Sequence, residues 1–417
     1  MTFGGDVVAR SGVVTGVGVI APGGIGCDAY WKSLLRGDVS LDRVDLEGCT
    51  DLPLRVAGQV RDFDPQTLVE NRLLVQTDRF THFAMAAADM AVRDARLTAD
   101  PEAPFDIGVA TAAGCGGVTF GQREMQELWG RGPRFVGPYQ SIAWFYAAST
   151  GQISIRGGFC GPCAVLANDE AGGLDVLAHS CRALRNGARA VVTGATEAPL
   201  APYAMVCQLG YPELSLAQDP RRAYQPFTEH ACGFSPAEGG AMFVVEREES
   251  ARRRGAAVRA RIAGHAATFT GTRGWEHSRE GLARAIRGAL AEADCTPDEV
   301  DVVFADALGV PAADHAEALA LADALGARAA DVPVTAPKAG FGRAFSAAAA
   351  LDVAAAVLAL EHDTVPPTPN VADVRVDLDV VTGRARTTAL RTALVLSRGL
   401  MGCNSALVLR RDDEPRT

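Results

Sequence analysis

Ala164-Val165-Leu166-Ala167-Asn168-Asp169-Glu170-Ala171-Gly172-Gly173-Leu174-Asp175 is the stretch whose reading decides the fold. Four apolar residues predict a buried strand, a tight turn follows, and a helical pattern runs over residues 171–184. A residue at such a turn is presented at a helix N-terminus, where the dipole favours negative charge. Gly172 and Gly173 allow close backbone approach there. A Cys or Ser in this place would be an activated nucleophile. The residue is Glu170.

Outward from this turn, the same succession occurs twice. A second apolar strand over residues 333–336 leads to an Ala-rich helix over 347–360. Upstream, Phe83, Ala87, Met90 and Ala91 mark a helix before a strand over 106–110, and Leu282, Ile286 and Leu290 mark one before 301–305. Each half closes on a strand, 241–246 and 406–411. Strands alternating with helices imply βαβ units and mainly parallel sheets. Two such units predict an α/β protein, a layered α/β/α/β/α body built from pseudo-repeated halves, 1–255 and 256–417. The seam falls near residues 252–258, where charge and glycine break the pattern. A loop-rich insertion is expected at about 116–150. Its Phe120, Trp129, Phe135, Tyr139, Trp144, Phe145 and Tyr146 are too apolar for a solvated loop, so it should cover a pocket or meet another subunit.

The totals agree with a large α/β core: of 417 residues 48% are hydrophobic but only 6% aromatic, which suits closely packed helices. No stretch approaches the roughly 20 apolar residues of a membrane span. Residues 1–20 lack the pattern of a signal peptide, and a cytoplasmic location is expected. Ten cysteines scattered along such a chain are expected to be free thiols. Cys160-Gly161-Pro162-Cys163 matches the redox pair of thioredoxin-like proteins, but there the motif opens a helix that lowers a thiol pKa, and here it enters a strand. The net charge of −10 argues against nucleic acid as a partner. An acidic partner would need a local basic patch; Arg252-Arg253-Arg254 or Arg182, Arg185 and Arg189 are the places to look, against the plainer reading as solvated helix faces.

Motif by motif, the chain resembles the β-ketoacyl synthases of the thiolase superfamily. Their active-site elbow has a cysteine followed by two small residues, Gly, Leu and Asp, and the segment from Glu170 to Asp175 is similar to it. Ser11-Gly12-Val13-Val14-Thr15-Gly16-Val17-Gly18 resembles the family's first strand, as Pro226-Phe227, Gly233-Phe234 and Glu238-Gly239-Gly240 resemble later motifs. The likeness covers nearly the whole chain, in order. It implies the five-layer thiolase-like fold. It also implies that Asp306 stands where one active-site histidine is found, and Arg343 where the second is found, while Lys338 is retained. The glycine-rich loop near the end is altered to Gly399-Leu400-Met401-Gly402-Cys403-Asn404.

Claisen condensation needs a thiolate to carry the acyl chain and neutral imidazole donors to stabilise an enolate. Carboxylates at 170 and 306 supply neither, so no catalytic residue is expected. Within the family the pattern is similar to the chain length factors of type II polyketide synthases, in which a glutamine usually occupies the elbow position. The likeness rests on Gly121-Gln122-Arg123-Glu124, Tyr139-Gln140-Ser141, Ala143-Trp144-Phe145-Tyr146, Thr150-Gly151-Gln152-Ile153-Ser154 and Val334-Thr335-Ala336-Pro337-Lys338. Glu170 departs from it, and is expected to join Lys338 or Arg343 in an ion network. Asp306 and Arg343 are expected to pair and tie two loops. Lys338 is expected to bridge loop carbonyls or the Glu170 carboxylate.

The resemblance implies a heterodimer with a catalytic ketosynthase alpha subunit, an acyl carrier protein delivering the chain, and no cofactor, metal or membrane. It places Val118, Gly121, Met125 and Ile142 along the tunnel for the growing poly-β-ketone; the alternative is that they are ordinary core positions. Val118, Met125 and Ile142 stand where short-chain members carry bulky aromatics, so a long product is expected, aromatic rather than a reduced polyene. Two rival readings stay open: a condensing enzyme or malonyl-carrier decarboxylase with an unusual site, and a scaffold on the same fold. The product's length and first cyclisation are not written in the sequence.

Overall fold

The computed structural model describes residues 12–44, 51–271 and 274–412. Ser11, which opens the first-strand motif, and residues 1–11 of the leader reading lie outside the described residues. The N-terminal half contributes strands β1 (Gly12–Ala21), β2 (Ile107–Ala112), β3 (Cys163–Leu166), β4 (Ala190–Glu197) and β5 (Gly239–Arg247). The rest of the chain contributes β6 (Ala260–Phe269), β7 (Val302–Phe304), β8 (Pro333–Thr335), β9 (Asp379–Val380), β10 (Thr392–Arg398) and β11 (Cys403–Arg410). The first sheet runs β3-β2-β4-β5-β1, and the second runs β8-β7-β10-β11-β6 with β9 added at its edge. Both therefore order their strands third, second, fourth, fifth, first. They meet at β1 and β6, where Gly12 opposes Ile262 and Val14 opposes Ala260 in antiparallel register.

The sheets are mixed rather than mainly parallel. β2 runs parallel to β3 and β4, and β7 to β8 and β10. β5 and β11 run antiparallel to both their neighbours. Between β10 and β11 only residues 399–402 intervene, far too few for the crossover a parallel pair requires.

The helices that layer these sheets include α1 (Arg79–Asp94), α2 (Val118–Arg131), α3 (Ala148–Gly157), α4 (Gly172–Arg185), α5 (Ser278–Glu292), α6 (Pro311–Leu325) and α7 (Phe345–His362). α4 and α7 pack on each other and on both sheets, α1 covers the outer face of the first, and α5 that of the second with α6 beside it. The α/β/α/β/α order follows. α7 is apolar all round, as a helix buried between two sheets must be, and residues 346–360 are all buried. By length and composition it comes nearer to a membrane span than the sequence reading allowed, but most of it is core.

The insertion is more regular than expected. α2 occupies fourteen of its residues, followed by a short helix Gln140–Ala143 and the start of α3. Gly121 and Gly130 inside α2 mask its period in the sequence. The buried Asp78 carboxylate, which caps α1, also accepts the Phe120 N–H at 2.7 Å and so ties α2 to the core. Phe120 is buried, whereas Trp129, Tyr139, Ile142, Trp144 and Phe145 are exposed, Trp129 at 84%.

The Cys160–Cys163 segment bends at Gly161 and enters β3 at Cys163. Gly161 N–H donates to Ile107 O and Val109 N–H to Pro162 O, which prolongs the β2–β3 ladder backwards. All nine described cysteines are free. Arg252, Arg253 and Arg254 are bound to Glu248, Glu249 and Glu246, and Arg189 lies near Asp106, so these are paired surface charges. Arg182 and Arg185 instead line a small surface hollow with His265 and Glu292.

Candidate functional site: a closed ion network at the elbow

The turn between β3 and α4 is held in a conformation that few side chains tolerate. Asp169 has φ 60°, in the left-handed region. Its backbone carbonyl accepts the Ser346 hydroxyl at 2.8 Å, and its carboxylate accepts the Met401 N–H at 2.8 Å. A Cβ on Gly399 would sit 2.0 Å from that carboxylate, so the altered loop 399–402 still needs a glycine to pack on the elbow. One on Gly173 would sit 2.2 Å from Ser346 O, which fixes how closely α4 approaches α7.

This turn aims Glu170 into the interior, where it is 2% exposed. Its Oε2 accepts from Arg343 Nε at 2.8 Å and Nη2 at 2.6 Å. Arg343 Nη2 also reaches Asp306 Oδ1 at 2.8 Å. Asp306 in turn accepts from Arg398, through its backbone N–H at 2.9 Å and its Nε at 3.0 Å. Arg398 continues to Glu317 at 3.0 Å, and Glu317 accepts the backbone N–H groups of Asp306 and Ala307. Five buried charges thus form one chain, carboxylate and guanidinium alternating.

The sequence-based expectations fare unequally. Glu170 is joined to Arg343, and Arg343 to Asp306, as expected. Lys338 does bridge a loop carbonyl, that of Asp306 at 3.2 Å, but its carboxylate partner is Asp352 on α7 and not Glu170. Arg343 gives two N–H donors to one Glu170 oxygen, Oε2, while the Lys338 ammonium pairs with Asp352. Arg398, Glu317 and Asp352 went unmarked by the sequence reading, although a lone acid inside an apolar helix such as α7 signals a buried partner.

Burial and charge pull the carboxyls apart. Burial pushes Glu170 up to about 7, more than Arg343 pulls it down. For Asp306, burial is outweighed by Arg343, Arg398 and Lys338, which hold it at about 2. Nearby Glu197 is pushed up to about 8 by burial, although it accepts the Gly114 N–H at 2.5 Å and the Cys115 N–H at 3.2 Å. Among the described residues no histidine is hydrogen-bonded to Glu170, Asp306 or Lys338, and no group of His, Cys, Asp and Glu is placed to hold a metal ion. A cavity of about 260 Å³ lies beside the network, lined by Glu213, Trp275, Ser278 and the loop 399–402. Trp275 donates to Glu213 at 3.1 Å and stacks 5.4 Å from the Arg398 guanidinium, so the indole forms the cavity wall next to Arg398.

The four positions assigned to a tunnel lie apart from this network. Val118, Gly121 and Met125 share one face of α2, spaced three and four residues apart. Gly121 is buried, Val118 and Met125 are half-buried, and Ile142, on the short helix opposite, is 41% exposed.

Comparison with known proteins agrees with this architecture. Residues 10–251 match the family described as Beta-ketoacyl synthase, N-terminal domain, and residues 259–372 match Beta-ketoacyl synthase, C-terminal domain. A polyketide beta-ketoacyl synthase 2 of Streptomyces halstedii is 69% identical, covering 97% of this chain and 98% of its own. The tetracenomycin polyketide synthase ketoacyl synthase beta subunit of Streptomyces glaucescens is 49% identical, with 96% and 98% covered. A polyketide beta-ketoacyl synthase 1 of Streptomyces cyaneus is 33% identical, with 96% and 98% covered. Among solved structures, the ishigamide ketosynthase/chain length factor superposes with TM-score 0.86 at 27% identity, covering 97% of this chain and 99% of its own. A type II PKS acyl-carrier protein complex with its ketosynthase bound to the hexaketide gives TM-score 0.85 at 27% identity, with 97% and 100% covered. With both halves matched in order and relatives aligned end to end, the chain belongs to the β-ketoacyl synthase family.

Proposed function

We propose that this chain is the chain-length-determining subunit of a type II polyketide synthase, without catalysis of its own, paired with a ketosynthase that supplies the cysteine and both histidines. The observation that supports the reading is the buried Glu170–Arg343–Asp306 chain of ion pairs, at the three positions where the resemblance puts a ketosynthase's nucleophile and histidines. Lys338 is retained but is bound to Asp352. In this reading residues 1–255 and 256–417 are the two ketosynthase-like halves.

Identity supports the assignment: the relatives named synthase 2 and beta subunit stand at 69% and 49%, the one named synthase 1 at 33%. Partner binding is supported by surface chemistry. β3 ends the first sheet and leaves one edge unpaired, and the exposed aromatics of residues 129–145 lie in the segment leading to α3, which packs on β3. The partner is then the ketosynthase alpha subunit, and an acyl carrier protein delivers malonyl units and the growing chain. Val118, Gly121, Met125 and Ile142 border the space for that chain, and the lack of aromatic side chains among them favours a long poly-β-ketone, aromatic after cyclisation.

The test is coexpression with the ketosynthase encoded beside this chain, followed by product analysis with carrier protein and malonyl donor. A stable complex whose product shortens in Gly121→Phe is the expected result. A chain that purifies alone, or a ketosynthase that sets the same length without it, overturns the reading. Malonyl carrier protein incubated with this chain alone should lose carbon dioxide only at the background rate; turnover above it would assign catalysis to the chain.

A further inference from the structure

The side-chain donors that line the 260 Å³ cavity are already used, while two of its acceptors are not. The Trp275 indole N–H goes to Glu213 Oε1 at 3.1 Å, the Ser278 hydroxyl to Trp275 O at 2.7 Å, and the Asn404 amide N–H to Gly402 O at 3.2 Å. In the loop 399–402, Gly399 N–H donates to Cys403 O at 2.8 Å and Gly402 N–H to Gly399 O at 3.1 Å. Met401 N–H is taken by the Asp169 carboxylate. The Arg398 guanidinium beside the indole is spent on Asp306, Glu317 and Ala313 O.

Two acceptors remain. Glu213 meets Trp275 through Oε1 alone, and no Lys, Arg or His among the described residues pairs with its carboxylate. Asn404 is 1% exposed, yet its Oδ1 is not sealed in the core and accepts from no described residue. A lining with spent donors and open acceptors selects a ligand that donates. An unpaired carboxylate favours a charged donor over a neutral one, because charge-assisted hydrogen bonds are about twice as strong. Trp275 and Leu400, which belong to one apolar cluster, give the same cavity a surface for carbon, and the indole attracts cations as well.

We propose that this cavity binds a small organic cation, an alkylammonium whose N–H groups meet Glu213 and Asn404 and whose carbons lie on Trp275 and Leu400. No residue of α2 lines it, and the proposal is independent of the chain-length reading. The experiment titrates the full-length chain at constant ionic strength with n-butylammonium and, as the neutral isostere, n-butanol, read by ligand-observed NMR. So small a ligand binds weakly, and the titration runs to about 50 mM. Butylammonium should saturate, with butanol about tenfold weaker or more. Glu213→Gln, which keeps an oxygen for the Trp275 N–H, should weaken butylammonium about tenfold and leave butanol unchanged. No saturation by the parent, or equal binding of the two probes, overturns the proposal, as does parental affinity in Glu213→Gln. Should Glu213→Gln not fold, Leu400→Trp fills the cavity from the loop instead: loss of butylammonium binding supports the site, and undiminished binding overturns it.

Discussion

The elbow and the face of α2 at Gly121 are treated in opposite ways by the same fold. At the elbow Glu170, Arg343, Asp306, Arg398 and Glu317 hold one another in a buried chain of ion pairs. On α2 a side chain is missing at Gly121, and the Gln140 amide oxygen has no hydrogen-bond partner among the described residues. Satisfied groups bind nothing further, whereas space and unmet polarity are what a ligand can use. The lesson is that one fold holds an interlocked set of charges at the β3–α4 turn and a side-chain-free position on α2.

The largest effect is expected from opening the closed region. Arg343→Met strands Glu170 and Asp306 without their shared cation and should cost about 3–5 kcal/mol in denaturant unfolding, as for other broken buried pairs. A loss below about 1 kcal/mol would mean that the network is hydrated and the contrast with the face of α2 is false.

Next comes a pH effect. Glu170 is raised from 4.5 to about 7, so the folded state holds its proton more tightly than the unfolded chain. Its contribution is fully present below pH 4.5 and is lost as pH rises through 7. Glu170→Gln removes that titration and also the upward push that the Glu170 charge exerts on Glu197, which acts in the same direction. The stability of the variant relative to the parent should therefore rise by on the order of 2 kcal/mol between pH 5 and pH 9. A flat difference would show that Glu170 is ionised throughout.

A smaller effect on the chain itself, but a larger one on its partner, is expected at the exposed aromatics. Trp129→Ser should leave unfolding within about 0.5 kcal/mol of the parent, since the ring is 84% exposed. Affinity for the ketosynthase should fall about tenfold or more if the ring is an interface anchor. Unchanged affinity would move the docking face away from α2. The smallest effect belongs to Arg253→Ala, whose exposed pair with Glu249 should contribute no more than about 0.5 kcal/mol and leave product length alone.

Much of this contrast is legible in the residues. The strand, turn and glycines from Ala164 to Asp175 announce the elbow because tight turns and close helix approach need those residue types. The pairing of Glu170 with Arg343 follows from burying two opposite charges at positions that a shared site brings together. Arg398 and Glu317 were not legible, since nothing local distinguishes a charge at a strand end or in an Ala-rich helix from a solvated one until the two sheets are stacked. The α2 helix was hidden for a different reason: Gly121 is buried against the segment opposite while Trp129 is exposed, so neither marks the apolar period that would reveal it. Mixed strand directions were likewise lost, because direction is set by connection length and not by strand composition.

The alternating chain of five charges has a consequence for how such a protein can change. An engineer who installed a thiol through Glu170→Cys would leave Arg343, 2% exposed, with one of its two carboxylate partners removed. Replacing Arg343 by His first would leave Glu170 facing a weaker donor that is charged only at lower pH. Either single step passes through a less stable protein, and only a concerted exchange at 170, 306 and 343 avoids it. The network works as a ratchet: once its charges are interlocked, drift at any one of them is penalised, and the road to a thiol at this turn runs uphill at every first move.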